Sequence, residues 1–434
     1  MKKDIVSKKN IISVLISLIL IGVIISIFYS IFLSSPLFPL SFSSIFYKIG
    51  QFLGLIGFLS ISLLIISGDS AKFFDKYFGI DKIIKTQRKF AIFTYFIVFS
   101  HPLFIILGQR NYLNSLIPNF TILPLAAGAF ALYIFIGVML SSLSYKRISY
   151  EIWQYIHIAT YILFALIWYH SFNTGSSISF FSIKLMYYFL PILVLIGLIY
   201  RTNYKLKQRK NSFSVKEVRK ETEDTFTLVV QPKKQISFKP GQFFFLRLDG
   251  RKLYARHPFS VSSSPDEKNL SFTIKLAGRF TQHAQKLKPG ENIQIEGPFG
   301  NFIPREKEKE QVFIAGGVGI TPFMSMINYN KNSKVKNKIT LLYGSKKEKD
   351  IIFKKELDSI SESWLKKVYL LSQEQKHGFE YGRINKEIIL KYLPDIKNKI
   401  FYICGPKAMN LSVSHILTNL GVNKKDIITE NFFW

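Results

Sequence analysis

The sequence predicts a multidomain membrane protein. An all-α bundle of six transmembrane helices is followed by a small antiparallel β-barrel and then by an α/β domain on a parallel sheet. Three observations predict this. Up to about Tyr200 the chain is a series of long apolar blocks, each near the ~20 residues needed to cross the hydrocarbon core of a bilayer. From Arg201 onward, short apolar runs alternate with Gly- and Pro-punctuated turns, as in a water-soluble α/β protein. Basic residues gather just beyond the apolar blocks.

The 434 residues suggest two or three domains. A formal net charge of +30 raises nucleic acid as a partner, but no nucleic-acid motif accompanies it. The charge instead lies where membrane topology puts it, and the remainder is general lysine enrichment. Cys404 is the one cysteine, so no disulfide forms within the chain and the redox compartment cannot be read from pairing.

The first apolar block, Ile11 to Leu33, is too long for the core of a signal peptide and lacks a cleavage pattern, so it reads as a span. Five more follow at about 49–67, 90–107, 122–143, 152–170 and 183–200. One set of loops carries Lys2, Lys3, Lys8, Lys9, Lys72, Lys76, Lys82, Lys85, Arg88, Lys89, Lys146, Arg147, Arg201, Lys205, Lys207, Arg209 and Lys210. The other set holds Lys48, Arg110 and Lys184. By the positive-inside rule, the N-terminus and the soluble half face the cytoplasm.

Three histidines interrupt the apolar spans. His101 lies past the midpoint of the third, and His157 and His170 lie thirteen residues apart in the fifth, "IHIATYILFALIWYHS". Thirteen helical residues rise roughly 20 Å, so these two sit at different depths. A polar side chain in lipid must find a partner or face a cavity, and neutral imidazole is a common axial ligand of haem iron. A haem between His101 and His170 satisfies both depth and chemistry; hydrogen bonding between helices is the plainer reading. On an ideal helix His157 and His170 point roughly 140° apart. They share one cofactor column only if the helix bends or the haems attach from different angles.

In the soluble half, "KPGQFFFLRL", "RKLYARHPFSVSSSP", "LSFTIKLAGRFTQHAQKL" and "PGENIQIEGPFGNF" read as short strands joined by turns, the pattern of a small antiparallel barrel. Arg256 suits bidentate contact with a phosphate, Phe259 offers a flat face and Ser260 a hydroxyl. "AGRFTQHAQ" reads as a turn into a helix start, a seat for a diphosphate. "QVFIAGGVGITPFMSMI" then runs from strand through a Gly-rich turn into a helix, an arrangement that aims backbone N–H groups at a pyrophosphate. Three further strands, "KITLLYGS", "KKVYLLS" and "KIFYICGP", complete a parallel sheet with its turns at the ligand-binding ends. The three closing aromatics of "ITENFFW" make sense docked on a flat ring.

"HPFS", "GPFG", "AGGVGITP", "YGS", "CGP" and "ENF" in this order resemble the ferric reductase and NADPH oxidase superfamily over nearly the whole chain. The resemblance implies a transmembrane ferric reductase-like haem-binding domain at 1–204, an FAD-binding β-barrel at 205–306 and an NAD(P)-binding α/β domain at 307–434. It implies FAD contacts from Arg256, His257, Pro258, Phe259 and Ser260, with Arg256 on the diphosphate and Ser260 near flavin N5, and a second FAD segment at Ile274, Lys275, Gly278, Phe280 and Thr281. Gly316, Gly317, Gly319, Thr321 and Pro322 resemble the pyridine-nucleotide loop, and Cys404, Gly405 and Pro406 the motif beside the nicotinamide. Glu430 and Phe432 resemble the acidic-x-aromatic end that covers the flavin, with Phe433 and Trp434 as alternative stacking rings. Gly344, Ser345 and Lys346 belong to the nucleotide site. Lys346 and Lys347 offer charge for a 2′-phosphate and hence NADPH, with a solvated lysine run and NADH as the alternative. The resemblance implies Ser260, Cys404, Glu430 and Phe432 as the catalytic set.

The oxidase pattern has two histidines in each of spans three and five. Here the residue fourteen before His101 is Gln87, a poor iron ligand. At least one haem b is expected, on His101 and His170, and a second through His157 stays open. The expected activity passes electrons from cytosolic NAD(P)H through FAD and haem, across the plasma membrane, to an extracytoplasmic acceptor, ferric iron or another metal chelate. Superoxide production, donation to a partner protein, and a transporter or channel with a nucleotide-binding tail are the alternatives.

Overall fold

The computed structural model describes residues 2–34, 41–109, 113–144, 147–148, 150–209, 213–248, 256–305, 309–334 and 336–430. The chain forms two compact units, Met1–Leu206 and Lys207–Trp434.

The first unit contains α1 (Lys2–Phe28), α2 (Phe42–Asp69), α3 (Ala71–Phe78), α4 (Ile80–Gly108), α5 (Leu123–Leu143), α6 (Tyr150–Ile158), α7 (Thr160–Thr174) and α8 (Phe181–Arg209). Among the described residues six segments are long and apolar enough to cross a membrane: Asn10–Leu33, Phe42–Asp69, Lys82–Gly108, Leu123–Leu143, Ile152–Thr174 and Phe181–Gln208. They are the six spans expected, several of them longer than their apolar stretch, because a helix runs on into the interface where lysine and arginine are good helix formers. Ile19, Ile25 and Phe96 are exposed on the bundle surface, as lipid-facing side chains are. Ile27, Leu55, Phe58, Phe164 and Tyr187 fill its interior.

The fifth span is two helices rather than one. Ala159 stands between α6 and α7 with φ −59° and ψ −12°, and its N–H bonds Ile156 O at 3.1 Å, three residues back. That tight turn breaks the 100° step, so the ideal-helix angle between His157 and His170 does not carry across it. The link from α3 to α4 is sharp for a different reason. Gly79 takes φ +81°, and Asp75 Oδ1 accepts the Ile80 N–H at 2.9 Å, capping the new helix.

The second unit opens with β1 (Phe213–Lys220), β2 (Thr225–Pro232), β3 (Phe243–Leu248), β4 (His257–Ser260), β5 (Leu270–Lys275), α9 (Arg279–Gln285) and β6 (Asn292–Phe299). The strands pair antiparallel in the order β4-β3-β6-β1-β2-β5. A Val261–Phe272 bridge and a Ser262 N–H to Ser271 O bond of 2.8 Å join the first and last strands. That closes the sheet into a barrel around Phe213, Leu228, Phe244 and Phe272.

β7 (Glu310–Gly316), α10 (Thr321–Asn332), β8 (Ile339–Ser345), α11 (Lys354–Ser359), β9 (Leu365–Leu371), β10 (Glu380–Tyr381), α12 (Lys386–Tyr392), β11 (Lys399–Cys404), α13 (Lys407–Asn419) and β12 (Ile427–Glu430) follow. Their sheet is wholly parallel, ordered β10-β9-β8-β7-β11-β12. Successive residues of β7 serve opposite faces. Phe313 and Ala315 pack with Phe323 of α10, while Val312 and Ile314 pack with Val413 and Leu417 of α13. Burial on both faces explains why these strands read as continuous apolar runs. The two parts of the unit are tied together at α10, where buried Ser325 donates to Ser263 O at 2.6 Å.

Candidate functional site

In the first unit, His101 of α4 and His170 of α7 come together, their ring centroids 6.4 Å apart and their planes at 68°. His101 Nδ1 lies 2.7 Å from Gly50 O, and His170 Nδ1 lies 2.8 Å from Pro124 O. A carbonyl only accepts, so each Nδ1 carries the hydrogen and each Nε2 keeps its lone pair. This is how metal-ligating histidines are oriented. Two imidazoles on one metal, each nitrogen about 2 Å away, put their centroids roughly 6 Å apart. Among the described residues no three His, Cys, Asp or Glu side chains cluster to hold a bare ion. A pair of imidazoles alone suits an iron whose remaining positions a macrocycle fills, so the residues fit haem.

The structure does not bring His157 to this pair. Its exposed ring stacks on Trp153 at 4.6 Å and 20°. Gln87 donates from Nε2 to Ser67 Oγ at 2.9 Å. Sequence reasoning missed a part-buried cluster in the chain's spans, in which Asp69 is buried. Asp69 accepts from Tyr161 OH at 2.8 Å and from Arg201 Nη1 at 2.9 Å, and Arg201 also reaches Tyr161 OH at 3.1 Å. The signal was available, since a carboxylate ending an apolar block requires a partner.

In the barrel, β4 sets His257 and Phe259 against Phe280 of α9, at 4.4 Å and, stacked at 20°, 5.7 Å. Pro258 pairs with Phe245 across the strands. Arg256 lies over the Phe245 ring at 4.6 Å and bonds Glu296 at 2.7 Å; Glu296 had given no sequence signal. Burial lowers the His257 pKa, so its ring is neutral at neutral pH. Ser260 is buried and its Oγ has no hydrogen-bond partner. An orphaned hydroxyl at one end of β4, an aromatic pair on the strand and a guanidinium just before its other end are groups that fit a flavin nucleotide. Ile274 is buried, while Lys275 pairs with Asp224 at 2.8 Å. The Gly278 turn is held by Thr281, whose Oγ1 accepts from Ala277 N at 2.9 Å and donates to Gly278 O at 2.9 Å.

In the parallel sheet, Gly316, Cys404 and Glu430 end adjacent strands, with Ala315 paired to Cys404 and Cys404 to Glu430. Gly344 and Ser345 end β8 on the other side of β7. The glycine turn and the Cys404–Pro406 turn touch backbone to backbone. A Cβ on Gly319 would strike Cys404 O, and one on Gly316 would sit 2.7 Å from Met409 Sδ and 2.9 Å from Pro406 Cδ. Thr321 donates to Val318 O at 2.7 Å, and Pro322 opens α10. Together these ends form the crevice in which open α/β sheets bind ligands. Tyr343, the first residue of the "YGS" motif and assigned no role from it, is fully buried. It donates to Gly317 O at 3.1 Å and accepts from Ile352 N at 3.1 Å. Burial, with Glu430 adding to it, pushes the Cys404 thiol well above the usual range. Asn410 Nδ2 donates to Glu430 O at 2.8 Å. Lys346 and Lys347 are exposed. Phe432, Phe433 and Trp434 lie outside the described residues.

Three family models match the chain: a ferric reductase like transmembrane component over residues 53–168, an FAD-binding domain over 210–303 and an oxidoreductase NAD-binding domain over 313–415. The chain is 32% identical over 200 residues to NADH-cytochrome b5 reductase 1 of Dictyostelium discoideum, covering 44% of this chain and 69% of that one. It is 30% identical over 195 residues to one component of the Na(+)-translocating NADH-quinone reductase of Marinomonas sp. strain MWYL1. That match covers 40% of this chain, and the chain spans about half, 48%, of that relative's length. The gamma component of sulfhydrogenase 2 of Pyrococcus furiosus is 29% identical over 234 residues, which is 50% of this chain and 77% of that one.

Proposed function

Because the chain belongs to the ferric reductase and NADPH oxidase superfamily, as a ferric reductase-like membrane component joined to a ferredoxin–NADP reductase-like module, we propose that it carries electrons outward across the plasma membrane. Its coarser identity is plain: it is a multi-pass, membrane-bound oxidoreductase with FAD- and NAD-binding domains. The proposal adds a donor, cytosolic NADPH or NADH, a haem b, and an acceptor on the outer face, ferric iron or another metal chelate. It also takes residues 1–204, 205–306 and 307–434 as the haem, FAD and nucleotide domains. The observation that carries it is the His101–His170 pair, each ring turned by a backbone carbonyl so that Nε2 is free.

When bound, FAD accepts a hydride and releases electrons singly, and haem passes them one at a time. The chain's residues bind and orient. The Gly316–Gly319 turn and the start of α10 offer N–H groups to the nucleotide pyrophosphate. The neutral Cys404 thiol and Glu430 stand at the nicotinamide side of the crevice, and Ser260 directs its hydroxyl at the flavin edge. Arg256, stacked over Phe245, meets the FAD diphosphate. Lys346 or Lys347 meets a 2′-phosphate if NADPH is the donor; relatives named for NADH keep NADH open. His101 and His170 would hold the haem between them, and with both imidazoles so engaged the chain offers no protein group for binding the acceptor at the iron itself, which suits a bulky ferric chelate. With the cell interior negative, outward electron movement gains about 2.3 kcal/mol per 100 mV.

The test uses proteoliposomes with the nucleotide module outside, NADPH added outside and a ferric chelate enclosed, under anaerobic conditions. Ferrous iron forming inside supports the reading. Superoxide-dismutase-sensitive reduction of enclosed cytochrome c in air, without anaerobic iron reduction, selects the oxidase alternative.

A further inference from the structure

The two histidines are held by one device used twice. In α2, Gly50 and Gly54 lie one helical turn apart; in α5, Pro124 and Gly128 have the same spacing. His101 bonds the carbonyl of the first member of the α2 pair and lies against the second; His170 does the same with the α5 pair. A Cβ built on Gly54 would stand 2.8 Å from His101 Nδ1 and 2.9 Å from its Cε1. One built on Gly128 would stand 2.6 Å from His170 Nδ1 and 2.8 Å from its Cε1. Real Cβ atoms essentially never come within 3.0 Å. Neither ring can retreat while its Nδ1 keeps the carbonyl bond.

We propose that Gly54 and Gly128 are paired seats that aim the two imidazoles, and that α2–α4 and α5–α7 are two copies of one ligand-presenting helix pair. This rests on the reading of His101 and His170 as haem ligands. A methyl group at either seat turns the ring off its carbonyl, so the Nδ1 hydrogen bond is lost and Nε2 is re-aimed. The seats are positioning residues that act through the histidines. Other glycines of the same helices lack this relation. A Cβ on Gly57 would meet Val98 Cγ2 at 3.1 Å, and one on Gly137 would meet nothing within 4 Å.

The test uses the full chain in detergent, with G54A, G128A, G57A and G137A compared for haem-to-protein ratio, low-spin EPR g values and haem midpoint potential. FAD content reports that the soluble module is intact. G54A and G128A are each expected to weaken haem retention about 10-fold, the usual loss when an orienting partner is disturbed, or to retain haem with displaced g values and potential. G57A and G137A keep the wild-type signature. Unchanged g values and potential in G54A and G128A overturn the inference, as does G57A matching G54A. If G54A accumulates poorly, H101A is compared with the G54A/H101A double variant. Removing the ring removes the collision, so the two should be equally stable; further loss in the double variant overturns the seat. A wild-type protein without haem overturns the functional reading itself.

Discussion

Replacing Tyr343 by phenylalanine removes one oxygen and keeps the ring that packs in the core near Tyr369. That oxygen serves two partners, donating to Gly317 O at 3.1 Å and accepting from Ile352 N at 3.1 Å, in a side chain with no solvent exposure. Burial raises the phenol well above its ordinary pKa, so it stays a donor at any working pH. Leaving a buried group unsatisfied costs about 1–3 kcal/mol. Gly317 holds φ +54°, in the turn that is to receive the nucleotide. If about 1–2 kcal/mol of the loss falls on that turn, the KM for NAD(P)H rises roughly 5–30-fold. The Ile352 share lowers thermal stability, by about 2–4 °C per kcal/mol for a unit of this size. Steady-state reduction of ferricyanide, which draws electrons from the flavin without the membrane half, separates the two effects. Y343F should raise KM with little change in kcat. A lowered melting temperature with KM unchanged would show that Tyr343 supports the fold and does not shape the loop.

Three further outcomes are expected. Cys404 should resist alkylation at neutral and mildly alkaline pH in the folded protein and react after denaturation, because its raised pKa keeps the thiol protonated; rapid labelling of native protein, read by mass spectrometry, would contradict its buried placement. R256A should lose about tenfold or more in FAD affinity, as loss of a charged phosphate contact does; unchanged flavin occupancy would remove Arg256 from that role. The K346E/K347E variant should raise the KM for NADPH several-fold and leave NADH unaffected if either lysine meets a 2′-phosphate; equal effects on both nucleotides would show a solvated lysine run.

The six spans were legible because crossing a bilayer demands length and apolar character, which sequence displays directly. The break at Ala159 was not, since alanine is a strong helix former and a one-residue turn leaves apolar periodicity intact. The pairing of His101 with His170 was readable from their places in the third and fifth spans. Their backing by Gly54 and Gly128 was not, because it depends on which faces of separate helices meet. In the soluble unit, the glycine turn and the Cys404–Pro406 turn were visible as motifs at strand ends, but only the parallel register of β7 and β11 puts them in contact. Tyr343 was visible as part of "YGS", but not its role, since neither motif nor hydropathy carries a trace of its hydroxyl's partners. Of the Asp69–Tyr161–Arg201 cluster, which joins residues from three helices, only Asp69 left a trace in the sequence, as a carboxylate ending an apolar block; its partners depend on how the helices pack.

The proposed electron path depends on one haem held between α4 and α7 by His101 and His170. Haem quantification with reduced-minus-oxidised spectra on wild type, H101A, H170A and H157A tests it most directly. A low-spin haem is expected in the wild type, with its loss in H101A and in H170A and its retention in H157A. A wild type without haem, or loss of the spectrum in H157A alone, would contradict it.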